Sequence, residues 1–166
     1  MIIWPAIAIL GFVTLQRLAE LALSKANTRA LIAAGGREHA PGHYPLIVAV
    51  HAAWLAALWW LAPGQPVHVP LLLLFVLLQI GRVWVIRTLG PRWTTRIITL
   101  PGAPLVQAGP YRFVSHPNYL VVIGEIAVLP LVFGLWEVAL LFSLLNAAVL
   151  VIRIRAENQA LGGADK

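Results

Sequence analysis

Cysteine is absent from the 166 residues. That excludes disulfides, iron–sulfur clusters, thiolate zinc sites and a cysteine nucleophile. Charge is scarce as well. Asp, Glu, Lys and Arg make up 11% of the chain, against about a quarter in a soluble domain. No glycine-rich nucleotide loop is present, because Gly35-Gly36 lacks the strand and helix such a loop needs. No repeat and no low-complexity segment occurs. The five histidines do not form a metal site on paper. His39 and His43 are four apart, but Pro41 breaks the helix that would align them. His51 and His68 stand alone, so no metal is expected.

What is present is apolar. Hydrophobic residues make up 60% of the chain, and the mean hydropathy is +0.85. They fall into five segments: Ile2 to Leu23, Tyr44 to Ala62, Pro70 to Ile86, Tyr119 to Phe133 and Trp136 to Ile152. At 1.5 Å per residue the first three reach roughly 25–33 Å, enough to cross a hydrocarbon core of about 30 Å. The last two are shorter and meet at Phe133-Gly134-Leu135, a turn signal that predicts a tight helical hairpin. Pro130 is expected to kink the fourth segment near its end. The first segment has no basic start and no obvious cleavage site after it, so it reads as a span and not a signal peptide. The expected fold is an all-α integral membrane protein of about five transmembrane helices. One membrane domain covers 1–166: three N-terminal helices over 1–86, then a loop, the hairpin and a tail over 87–166.

The charge is distributed with a purpose. The isoelectric point near 10.8 is compatible with nucleic-acid binding, but the basic residues flank apolar segments, so the expected partner is the bilayer and not nucleic acid. With five spans, all twelve Lys and Arg fall on one side. The connections Pro63 to Val69 and Gly134-Leu135 carry none. The positive-inside rule then puts the N-terminus outside and the C-terminus in the cytosol of, we expect, a bacterial plasma membrane. The thirty-odd residues from Arg87 to Asn118 are long for a structureless loop. Gly90-Pro91, Pro101-Gly102 and Gly109-Pro110 punctuate them, and Trp93, Ile97, Ile98, Leu100, Leu105 and Val106 give apolar anchors. This loop is expected to fold over the cytosolic mouth of the bundle.

Three groups of residues can carry chemistry. His116-Pro117-Asn118-Tyr119 combines a rigid backbone with donors and an aromatic face, suited to a polar, partly planar ligand. The alternative is an interfacial belt of amphipathic side chains. Arg153 and Glu157 are four apart and share a helix face. Arg can hold an anion in a fork and Glu an ammonium or a ribose hydroxyl, but an ordinary i,i+4 salt bridge is equally open. Glu125 lies two turns into the fourth segment. An intramembrane carboxylate is costly and so is a candidate substrate contact. Its bland reading is an inward Glu paired with Gln79, Arg82 or Arg87. Glu20 and Arg17 read as snorkelling interface residues.

The run Gly109-Pro110-Tyr111-Arg112-Phe113, then His116-Pro117-Asn118-Tyr119, a helical hairpin, and Arg153 with Glu157 resembles the isoprenylcysteine carboxyl methyltransferase family. The likeness covers roughly Arg82 to Leu161. The stretch from Arg92 through Pro101-Gly102-Ala103 to Leu105-Val106 looks most like small bacterial members, some of which methylate alkylpyrones. The resemblance implies S-adenosylmethionine as cofactor, in a cytosol-facing pocket. By position, Ala103, Pro104, Leu105, Val106, Tyr111, His116, Pro117, Asn118, Tyr119 and Glu157 match residues that contact it. Arg153 matches an arginine on the acceptor side, and Arg96 a further polar contact. Arg153, Glu157 and His116 are the implied catalytic set, with Arg153 toward the acceptor; Glu125 is a candidate acceptor contact on its place inside the span alone. Two positions depart from the pattern: Ser115, where arginine is common, and Asn158, where a second glutamate is. The implied activity is methyl transfer to an oxygen of a lipophilic acceptor. An NADPH-dependent reductase related to sterol reductases and a non-catalytic membrane scaffold or transport subunit are the alternatives.

Overall fold

The computed structural model describes residues 3–162. Ile2 of the first apolar segment and Lys166 of the basic set lie outside them. Five helices run in chain order: α1 (Trp4–Ala33), α2 (Tyr44–Leu61), α3 (Val69–Leu89), α4 (Pro117–Val132) and α5 (Trp136–Gly162). α1, α2, α3 and α5 are each long and apolar enough to cross a membrane, and α4 is a shorter apolar helix. The molecule is an all-α integral membrane protein, as its apolar segments indicate. A proline stands in the first turn of α1, α3 and α4, where its missing N–H has no intrahelical partner to lose. Glu137 in the first turn of α5 complements the positive end of that helix.

Two helices outrun their apolar segments. α1 continues ten residues past Leu23, and α5 ten residues past Ile152. Hydropathy marks where the lipid ends, whereas helix propensity continues. Ser24 to Ala33 and Arg153 to Gly162 are rich in Ala, Leu, Arg and Lys or Glu, which favour helix in water. Arg153 and Glu157 therefore ride on a helical extension beyond the apolar segment. Between α4 and α5 the expected hairpin is present. Gly134 takes a φ of +71°, open to glycine, and Leu135 N–H donates to the Pro130 carbonyl at 3.0 Å.

A small sheet was not foreseen. β1 (Arg37–His39) pairs antiparallel with β2 (Ile97–Thr99), with Glu38 opposite Ile98. Three-residue strands carry too little periodicity to be read from sequence. The sheet stitches the α1–α2 connection to the long loop. Asn27 of α1 adds hydrogen bonds from Nδ2 to the carbonyls of Gly90, 3.2 Å, and Trp93, 2.8 Å. The Ser24 hydroxyl accepts from the Thr95 N–H at 2.9 Å. The loop is thus sewn down across the mouth of the bundle.

The apolar core fills the other half of the bundle. Leu10, Trp54, Leu58, Ile126, Leu129 and Phe133 are essentially sealed there. Trp54 also donates its indole N–H to the Ile126 carbonyl at 3.3 Å, tying α2 to α4. In lipid, such polar contacts and close packing hold helices together, because the bilayer supplies no hydrophobic drive between them.

Candidate active site

The site forms where the loop meets the start of α4 and the extension of α5. Pro117 opens α4 and is buried, and His116 caps it in a non-helical conformation. That cap turns the imidazole back over the first turn, where it stacks on Tyr119 with ring centroids 5.2 Å apart. The Tyr119 hydroxyl then reaches α5. It accepts a hydrogen bond from Arg153 Nε at 2.8 Å and donates to Glu157 Oε2. His116 Nδ1 lies 3.9 Å from the same carboxylate oxygen. His116, Tyr119, Arg153 and Glu157 are therefore one cluster. Arg153 and Glu157 do share a helix face, but they form no direct salt bridge among the described residues. Tyr119 stands between them.

Arg153 is held from three directions. Its Nη1 donates to the Thr95 carbonyl at 2.7 Å, and its guanidinium lies 5.5 Å from the centroid of the Tyr119 ring. It is 8% exposed, whereas the Glu157 and His116 side chains are 28% and 24% exposed. The arginine faces inward, and the carboxylate and imidazole face the loop. Tyr111 stands beside them. Burial, then the charge of Glu157, pushes its phenol up to about 12. Asn118 Oδ1 is enclosed without a hydrogen-bond partner.

The loop residues Ala103 to Val106 are shaped from within. Ala103 N–H closes a turn on Leu100, and the Pro104 carbonyl accepts from Arg92 Nη1 at 2.8 Å. Leu105 is exposed. No hydrogen bond joins these four residues to the His116 cluster among the described residues. Arg96 is turned elsewhere. It pairs with Glu38 at 2.8 Å and lies over the Tyr44 ring.

Below Tyr119 and Arg153 opens a cavity of about 300 Å³ between α1, α2, α4 and α5. Thr95, Asn118, Tyr119 and Arg153 line its polar end, and Leu18, Val48 and Val122 are among its apolar lining. His116, Glu157 and Tyr111 do not line it. The cluster thus divides an outer face, with Glu157 and His116, from an inner apolar chamber headed by Arg153.

Glu125 belongs to a separate network. It is 1% exposed and accepts from Arg82 Nε at 2.7 Å, from Gln79 at 2.8 Å and from Arg17 Nη2 at 2.7 Å. Arg82 Nη2 also pairs with it. Glu20 takes Arg17 Nη1 at 2.7 Å. Glu125 does not line the chamber, though Arg17, Glu20 and Arg82 do. The carboxylate is thus paired by α1 and α3, and Arg17 and Glu20 point into the bundle instead of snorkelling.

Comparison with known proteins shows the family. A model of the isoprenylcysteine carboxyl methyltransferase family matches residues 71–162. The chain belongs to that family. The matched span carries the His116 cluster and the Glu125 carboxylate, and it ends with α5. A further relative is the uncharacterized protein YpbQ of Bacillus subtilis (strain 168), 36% identical over 95% of both chains. No solved structure matches the chain. This family member is thereby placed among membrane methyltransferases. Among the described residues no group of three metal-binding side chains occurs.

Two features of the site were not legible beforehand. The Thr95 carbonyl that holds Arg153 is backbone and has no residue signature. His51 lines the chamber but stands isolated in the sequence, because only tertiary packing brings α2 against α5.

Proposed function

We propose that the protein is an S-adenosylmethionine-dependent O-methyltransferase acting on a lipophilic acceptor. The acceptor carries a carboxylate or an acidic enol or phenol, as in an isoprenylcysteine or an alkylpyrone. The observation that carries the reading is the Tyr119 hydroxyl bound by both Arg153 and Glu157 at the boundary between a polar face and an apolar chamber.

The residues on the outer face suit the cofactor. Glu157 and His116 are part-exposed there, and Asn118, which lines the chamber side, adds an Oδ1 that no protein group meets. With Tyr111, Pro117, Tyr119 and the turn from Ala103 to Val106, they would hold it. Bound there, S-adenosylmethionine supplies an electrophilic methyl group. The chain's own work is alignment and exclusion of water. Arg153, fixed by Tyr119 and the Thr95 carbonyl, holds the anionic oxygen of the acceptor. An oxygen already anionic near neutral pH needs no strong general base, which fits a cluster without a nucleophile–base pair. The apolar chamber takes the acceptor's tail, which enters from the bilayer.

We also propose the orientation. The basic loop and the extension of α5 face the cytosol of a bacterial plasma membrane, and the N-terminus faces outward.

Calorimetry with S-adenosylhomocysteine and radiolabelled methyl transfer test the function together. Binding is expected in wild type and is expected to be lost in His116→Ala along with transfer. Binding of NADPH in place of S-adenosylhomocysteine would move the protein to a reductase reading.

A further inference from the structure

The chamber is polar at two depths. Tyr44, Asn118, Tyr119 and Arg153 stand at one end of it. His51 follows Tyr44 by seven residues on α2, and Asn146 precedes Arg153 by seven on α5. Seven residues are two helical turns, so both lie roughly 10 Å deeper in the chamber wall. Between the two levels the wall is apolar, with Ile47, Val48, Val122 and Val149.

The ring of His51 is fixed. Its Nδ1 stands 2.9 Å from the Ile47 carbonyl. A carbonyl only accepts, so Nδ1 carries the proton. In the neutral ring, Nε2 is then a lone-pair acceptor. It has no partner among the described residues, and it is not one of the unpartnered atoms that the protein seals off. The guanidiniums of Arg17 and Arg82 share the wall; their Nη groups are directed at Glu20 and Glu125, and Arg17 Nε is sealed in the protein without a partner. His51 thus brings an acceptor without a protein partner to the deeper level of the chamber, where Ile47, Val48 and Leu55 flank it on α2 and Asn146 is the neutral polar side chain on α5.

We propose that Nε2 of His51 accepts a hydrogen bond from a hydroxyl on the lipophilic substrate, placed roughly 10 Å from the oxygen that is methylated. This rests on reading the chamber as the substrate's site. The substrate class is then a chain or ring system with two oxygens, one at Arg153 and one at His51. A plain hydrocarbon tail leaves Nε2 without a partner and binds more weakly.

The full-length protein in lipid nanodiscs tests this with two radiolabelled probes, hexadecanoate and 9-hydroxyhexadecanoate, at equal mole fraction. Wild type is expected to hold the hydroxy acid about 5- to 10-fold more tightly, the worth of one neutral hydrogen bond. His51→Phe is expected to remove the preference and keep hexadecanoate binding. His51→Gln, which restores a carbonyl acceptor, is expected to recover part of it. Equal binding in wild type, no binding of either probe, or a preference that survives in His51→Phe overturns the proposal and leaves Nε2 to a water. Methyl transfer to both probes is followed in parallel. Transfer without preference sinks the role of His51 and spares the methyltransferase. Preference without transfer does the reverse.

Discussion

A single phenolic oxygen joins the two halves of the site. The Tyr119 hydroxyl is the only group that the cluster places against both Arg153 and Glu157. Tyr119→Phe removes one hydrogen bond to each charge and leaves the ring that His116 stacks on. Hydrogen bonds to charged groups are worth about 1.5–3 kcal/mol, so kcat/KM is expected to fall roughly 10- to 100-fold. The melting temperature should move far less, and the two measurements together separate misplacement from unfolding. Tyr111 gives a prediction in pH. Burial and the charge of Glu157 raise its phenol from 10 to about 12 in the folded state. A raised value means that the unfolded chain loses this proton first. The associated stability is fully present below pH 10 and is lost as pH climbs toward 12. Melting temperatures recorded from pH 9 to 11.5 should therefore decline less steeply in Tyr111→Phe than in wild type. The motif residues were legible because rigid, polar side chains are conspicuous in an apolar chain. His51 was not, since one histidine in a hydrophobic helix carries no pattern.

At the level of elements, the buried ions tie three helices into one. Glu125 on α4 holds Arg17 of α1 and Arg82 of α3, and Glu20 completes a neutral set of two cations and two anions. Such a set is weak evidence for stability as a whole, but removing one member strands the others. Glu125→Leu is expected to cost about 3–5 kcal/mol, read as a lower midpoint in denaturant titration of the detergent-solubilised protein. The double variant Glu125→Leu with Arg82→Met should regain a substantial part, because it removes an unpaired charge along with its partner. A Glu125 that serves mainly the substrate would give the opposite pattern: transfer lost at unchanged stability, with no recovery in the double variant. The sequence placed Glu125 inside a span and offered Gln79, Arg82 and Arg87 as possible partners, of which Gln79 and Arg82 pair with it. It did not show Arg17 turning inward, because α1 was read as ending near Leu23. A residue close to an apparent helix end looks like an interface residue, whereas here α1 runs on to Ala33.

Across the whole molecule, the apolar segments and their order were readable, since bilayer thickness acts directly on sequence. The loop's path was not. It depends on a three-residue strand pairing and on backbone carbonyls that bind Asn27, neither of which leaves a periodic trace. The orientation that follows from the charges is directly testable, and the lack of cysteine makes the test clean. Gln65, between α2 and α3, and Gln107, in the long loop, are both exposed and lie on opposite sides of a five-helix arrangement. Each is replaced singly by cysteine and treated in intact cells with a membrane-impermeant maleimide. Gln65→Cys is expected to label at once, and Gln107→Cys only after permeabilisation. The proposed cofactor, S-adenosylmethionine, is made in the cytosol, so the reverse labelling would leave His116 and Glu157 facing a compartment without it. It would overturn the orientation and the methyltransferase reading together, whereas labelling at both positions in intact cells would reject the five-helix crossing itself.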